Sequence, residues 1–153
     1  RHTRYPLVTG VQTCALPILE IMANSDNVLR GGLTPKHIDV PELLRHVRVE
    51  GIIPSVIDPV PDPQGFCEYP VPVDDFRLRS IRLPAGQSLQ FQSDNSCMLL
   101  LPEGELEIKS GADLFDMGAG SISYYLKAGA VVQLLAKTPC FLFIASDGQP
   151  PSR

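Results

Sequence analysis

Long apolar runs are missing from this chain. No stretch of its 153 residues approaches the roughly eighteen consecutive apolar positions that would span a bilayer, and no cationic segment followed by an apolar one opens it. Positive charge is also scarce: 13 Lys and Arg against 17 Asp and Glu give a formal net charge of -4. That leaves no broad cationic footprint for nucleic acid or an anionic membrane, so an anionic ligand has to be held by local cations. Metal and redox patterns are equally thin, with no Cys-x-x-Cys and no His-x-His. Of the 4 cysteines, Cys14 lies in an atypical opening segment, and Cys67, Cys97 and Cys140 are widely and irregularly spaced. Cys97 and Cys140 sit in apolar runs, where a free thiol behaves as a small buried hydrophobe. With 44% hydrophobic and 20% charged residues, the composition is that of a globular domain rather than a disordered chain. A soluble cytoplasmic protein is the expectation.

Proline and turn residues divide what is there. The segment 49–73 contains Pro54, Pro59, Pro61, Pro63, Pro70 and Pro72; each removes a backbone donor and biases its neighbour towards extended structure, so a surface connector is expected. From Asp74 to Ser146 short apolar runs predict strands over 76–83, 88–91, 97–101, 105–109, 114–117, 121–126, 131–136 and 140–145. Between them fall turn signals such as Pro84-Ala85-Gly86, Glu103-Gly104 and Lys127-Ala128-Gly129, at the spacing of an all-β sandwich or barrel. Residues 147–153 form a tail. Ahead of the connector, Leu19 to Met22 can extend as a strand ended by the turn-forming Asn24-Ser25-Asp26-Asn27. Asp39-Val40-Pro41-Glu42 reads as a helix N-cap with proline in the first turn, and Leu43, Leu44 and Val47 supply the apolar stripe of one short helix near 40–48.

The run Leu19-Glu20-Ile21-Met22-Ala23-Asn24-Ser25-Asp26-Asn27-Val28-Leu29-Arg30-Gly31-Gly32-Leu33-Thr34-Pro35-Lys36 has too many polar, charged and glycine positions to be explained as packing. It resembles the signature near the end of the catalytic region of type I mannose-6-phosphate isomerases, and the resemblance continues through His37-Ile38-Asp39-Val40-Pro41-Glu42-Leu43-Leu44. The resemblance implies a carboxy-terminal fragment of a zinc-dependent aldose-ketose isomerase. Residues 19–48 would be the tail of the catalytic cupin region, and 74–146 a second, cupin-type jelly-roll β domain. The strand spacing alone does not select a jelly roll from other sandwiches.

Residues 1–18 depart from the family. Its members carry a zinc-ligating histidine nine positions before the glutamate matched by Glu20, and Val11 stands there. Thr13 and Leu16 replace the family's tyrosine and glycine. The segment begins without Met and reads like translated linker or adapter sequence, to be excluded from fold reasoning; a divergent strand is the alternative. The family's other zinc ligands come from the amino-terminal region. No metal ligand is therefore expected in this chain, and zinc belongs to the parent enzyme.

The implied reaction moves a proton between C1 and C2 of mannose 6-phosphate or fructose 6-phosphate through an enediol, which requires polarised oxygen, a proton carrier and a hold on phosphate. Arg30 falls at the family's signature arginine, and its guanidinium can fork two bonds to adjacent oxygens as charge develops; a structural ion pair with Asp26 or Glu42 is the competing role. Asp26 either orients Arg30 and joins proton transfer or serves as an Asx-turn residue. Lys36 either meets the phosphate or is simply solvated, and Glu20 points to the pocket or to solvent. His37 and His46, with no His-Glu pairing in evidence, read as surface or capping residues, and Arg77, Arg79 and Arg82 as a solvated strand face. The isolated fragment is expected to be inactive and to expose an apolar patch where the rest of the enzyme would pack. A non-catalytic jelly-roll binding or structural module is the alternative reading, and a catalytically silent sugar-phosphate sensor a third.

Overall fold

The computed structural model describes residues 20–22, 28–32, 34–51, 53, 55–120 and 123–148. The expected leader over 1–18 and Asp26 lie outside the described residues. Among the described residues one helix, α1 (Val40–His46), precedes nine strands. They are β1 (Phe66–Tyr69), β2 (Phe76–Leu83), β3 (Ser88–Gln92), β4 (Cys97–Glu103), β5 (Glu105–Ser110), β6 (Asp113–Gly118), β7 (Tyr124–Leu126), β8 (Val131–Ala136) and β9 (Cys140–Asp147). All pair antiparallel.

The strands form two sheets, ordered β1-β2-β9-β4-β7 and β3-β8-β5-β6. With β1 set aside as an added edge, β2 to β9 form two facing sheets of four in the nested order of a jelly roll. The fold is therefore mainly β and of the jelly-roll class. Strand alternation explains why these residues make it. In β9, Cys140, Leu142 and Ile144 are buried while Phe141 and Phe143 are half-buried on the other face; in β8, Val132, Leu134 and Ala136 are buried while Val131 and Gln133 are exposed. The inward residues of both sheets, among them Ile81, Leu83, Leu99, Leu101, Leu106, Ile108, Leu134 and Leu142, build one core. Each such side chain contributes about 1.5–3 kcal/mol of burial energy before chain entropy is counted.

The outward face of the first sheet is also apolar. One row in register, Tyr69, Leu78, Ala145, Met98 and Tyr125, runs across all five strands. Phe143 and Leu100 lie in the next row, with Phe141 and Phe143 edge to face at 4.7 Å between centroids. Met98 is 49% and Tyr125 58% exposed.

Several expectations need correction. The segment 49–73 is not only connector, because β1 lies within it and buries Phe66 in the core. The stretch Phe66-Cys67-Glu68-Tyr69 has no proline, and an edge strand needs only one side of its backbone paired. Asp62 secures the entry, its carboxylate accepting from the backbone N–H of Gln64 and of Phe66, each at 2.9 Å. Strand β7 starts at Tyr124; residues 121 and 122 of the expected strand lie outside the described residues. Glu20, Ile21 and Met22 are in no strand. Arg77, Arg79 and Arg82 do not share a solvated face. Register puts Arg77 and Arg79 on the inward side with Ile81 and Leu83, and Arg82 on the outward side over Phe141, as the period of two along a strand requires.

Candidate functional site

The signature segment rests on α1. Asp39 caps the helix in extended conformation, its side chain accepting from the Glu42 N–H at 3.0 Å. Gly31 lies beside the helix, where an added Cβ would make an ordinary contact with Leu43 Cδ2 at 3.8 Å. Thr34 Oγ1 then accepts from the Lys36 N–H at 3.2 Å, turning the chain towards the helix. No residue of α1 is fully buried, and Leu44 is 66% exposed, so the expected apolar stripe finds little to pack on within this chain.

Arg30 is half-buried, and its Nη1 donates to the Val28 carbonyl at 3.3 Å. Glu42, one ion-pair partner considered for it, instead accepts from Arg45 Nη1 at 2.8 Å and meets His46 Nε2 at 2.9 Å. His46 thus does have a glutamate partner, because positions four apart share one face of a helix. Lys36, His37 and Glu20 are exposed. Ile21 and Met22, next in sequence to Glu20, line a shallow cleft of about 370 Å³ with Phe76, Met98 and Tyr125 at the edge of the first sheet. The structure therefore joins the front of the signature to the jelly roll, and its back to α1.

A second cleft, about 610 Å³, lies where β1, β2 and the Ser93–Asn95 turn meet; Glu68, Tyr69, Asp74, Phe76, Arg77 and Asp94 are among its lining residues. Arg77 grips Glu68 with both ends of its guanidinium, Nε to Oε1 at 2.8 Å and Nη2 to Oε2. That hydrogen bond holds the Glu68 carboxyl below its ordinary value and raises Arg77 above its own. Beside them Arg79 is pulled below the usual arginine range by burial first and by Arg77 second. Sequence reading placed nothing here, although the odd-numbered spacing of Arg77 and Arg79 with Ile81 and Leu83 was the available signal.

Among the described residues no three His, Cys, Asp or Glu side chains come together in a way that would hold a metal ion. Zinc therefore finds no fitting donor set among them. Cys97 and Cys140 are buried free thiols, and burial raises both above the usual cysteine value, the environment of inert rather than reactive cysteine. Among the described residues no helix is long and apolar enough to cross a membrane.

A jelly roll preceded by an arginine- and glycine-bearing segment and a capped helix defines the class of domain. No family model matches the chain. It is 36% identical over 107 residues to the mannose-6-phosphate isomerase of Escherichia coli strain K12, covering 69% of this chain and 27% of that protein. It is 41% identical over 92 residues to the Salmonella typhimurium mannose-6-phosphate isomerase, covering 60% of this chain and 23% of that protein. The crystal structure of the Salmonella typhimurium enzyme bound to fructose 6-phosphate and zinc superimposes with a TM-score of 0.69 and 30% identity, over 84% of this chain and 32% of that one. The chain belongs to the mannose-6-phosphate isomerase family and corresponds to its carboxy-terminal part. It spans about a quarter of the length of the curated relatives it matches.

Proposed function

We propose that this chain is the carboxy-terminal part of a cytoplasmic enzyme that interconverts mannose 6-phosphate and fructose 6-phosphate, and that the 153 residues alone do not turn over substrate. The observation that carries the reading is the match to mannose-6-phosphate isomerases in both sequence and fold. Arg30 is the catalytic residue: its permanent charge answers the negative charge that develops on the sugar oxygens as a proton leaves one carbon for the other through the enediol. Asp26 orients it or takes part in proton transfer, Lys36 meets the phosphate, and Glu20 contacts the substrate. The zinc and its ligands belong to the part of the enzyme that this chain does not span, and the outward apolar face of the first sheet offers the surface such a part would need.

The test is to graft residues 19–148 in place of the corresponding part of the Escherichia coli relative. The chimera is expected to isomerise mannose 6-phosphate, while the 153-residue chain is not. Turnover by the isolated chain, or full activity of the chimera carrying Arg30→Met, would refute the assignment.

A further inference from the structure

Arg79 occupies an inward position whose neighbours across the sheet are Glu68 on β1, Ile144 on β9 and, one strand further, Leu99 on β4. Ile144 and Leu99 are fully buried, so this row carries a guanidinium into core territory. Glu68 is the counter-ion the register supplies, yet Arg77 takes both of its oxygens. Asp94 attracts Arg79 through space, but among the described residues no hydrogen bond joins them. Arg79 Nε is buried and has no acceptor among the described residues. The guanidinium carbon instead sits 5.3 Å from the centre of the Phe66 ring and 5.8 Å from that of Phe91, two rings that themselves meet at 6.0 Å and bridge the two sheets. Ser93, buried, lies alongside with its hydroxyl directed to the Asn95 carbonyl and to Cys97 Sγ.

We propose that this end of the sandwich, where β1, β2 and the Ser93–Asn95 turn meet, binds a small oxyanion with the Arg79 guanidinium as its anchor. A buried donor without an acceptor is costly, and an incoming anion relieves that cost by supplying two acceptor oxygens in the plane of the fork. The two phenyl rings hold that plane in place, stacking on the cation without using its hydrogens. The carboxylates of Glu68 and Asp94 oppose a large polyanion, so a compact phosphate or carboxylate group is the fitting class. The site is separate from the signature segment and holds whether or not Arg30 is catalytic.

The experiment is thermal unfolding of the whole 153-residue chain with inorganic phosphate, with malonate, and with chloride at matched ionic strength. A saturable rise in midpoint is expected with phosphate or malonate but not chloride, and the one that acts at lower concentration identifies phosphate or carboxylate as the group recognised. The rise is retained in Arg30→Met and weakened about tenfold or more in apparent affinity in Arg79→Met, a change that keeps an unbranched side chain between the rings. On the wild-type chain, the side-chain N–H resonance of Arg79 should move along the same titration, which keeps the test valid if the variant folds poorly. An unmoved Arg79 resonance, an equal rise in Arg79→Met, or a rise that follows ionic strength alone overturns the proposal, and loss of the rise in Arg30→Met instead would place the anion at the signature.

Discussion

Gly104 is where the jelly roll is most sensitive to a single methyl group. It lies between β4 in one sheet and β5 in the other, with φ of +92°, and the corner it forms packs on the turn leading into β9. The Glu105 carbonyl accepts from the Lys137 N–H at 2.8 Å, and the Glu105 N–H donates to Thr138 Oγ1 at 2.8 Å. A Cβ at Gly104 would stand 2.3 Å from the Pro139 carbonyl oxygen, 2.8 Å from Cys140 Sγ and 2.9 Å from Cys140 Cα. Two of those atoms are backbone, so the corner itself must move. Gly104→Ala then meets about 1–2 kcal/mol for placing an L side chain at positive φ and about 1–3 kcal/mol for overpacking, offset by roughly 0.4–1 kcal/mol of reduced unfolded-state entropy. The net loss is about 1–4.5 kcal/mol, a sizeable share of the roughly 5–15 kcal/mol typical of a domain. Gly129 provides the control, with φ of +78° and no atom within 4 Å of an added Cβ; Gly129→Ala carries the conformational cost alone, about 0–1.5 kcal/mol by the same reasoning. Urea unfolding of the two variants measures the difference as a shift of midpoint at constant slope. Equal losses in both would refute the close-approach argument and leave only backbone conformation.

Leu142→Ala empties a fully buried position in β9 and is expected to cost about 2–5 kcal/mol in the same urea assay; a loss under about 1 kcal/mol would mean the core closes over the gap. Because Arg77 holds Glu68 below its ordinary value of 4.5, this pair stabilises the fold above that pH, and its contribution fades as pH falls through the lower folded value. Wild type should therefore lose more stability than Glu68→Gln on acidification below 4.5, by under about 1 kcal/mol for so exposed a pair; parallel acid profiles would show that the pair contributes nothing. Cys97 and Cys140, buried and raised above the usual thiol value, should resist iodoacetamide in the native chain and react only once it is unfolded, which intact-mass analysis resolves.

The β domain was legible because its strands obey the simplest rule available. Val131 to Ala136 and Cys140 to Ala145 alternate between core and surface, and a glycine turn precedes or follows most of their neighbours, so strand positions could be read within a residue or two. What escaped was β1, whose Phe66 joins the core from a stretch so rich in proline that its four-residue alternation carried no visible signal. The face of Arg77 and Arg79 is hidden for a related reason: charge suggests solvent, whereas register with Ile81 and Leu83 is the stronger constraint on which way a strand residue points.

The signature segment was legible in the opposite way, by its residues rather than by its structure. Nothing in the periodicity of Val28 to Lys36 predicts where Arg30 sits; only the resemblance to a family singles it out. The fold shows why. The jelly roll makes its own core and closes its own ladders, so its sequence is answerable to contacts inside the chain. Arg30, Lys36 and Glu20 are half-buried or exposed, and α1 buries none of its residues, so this segment is answerable to contacts made elsewhere. In relatives of which this chain matches about a quarter, the remaining three quarters can supply those contacts. The two halves of the chain should therefore separate under mutation: Leu142→Ala lowers stability in the fragment and in the chimera alike, whereas Arg30→Met leaves the fragment's unfolding curve within about 0.5 kcal/mol of wild type and registers only as lost turnover in the chimera. A destabilised Arg30→Met fragment would instead make Arg30 part of the jelly roll's own architecture.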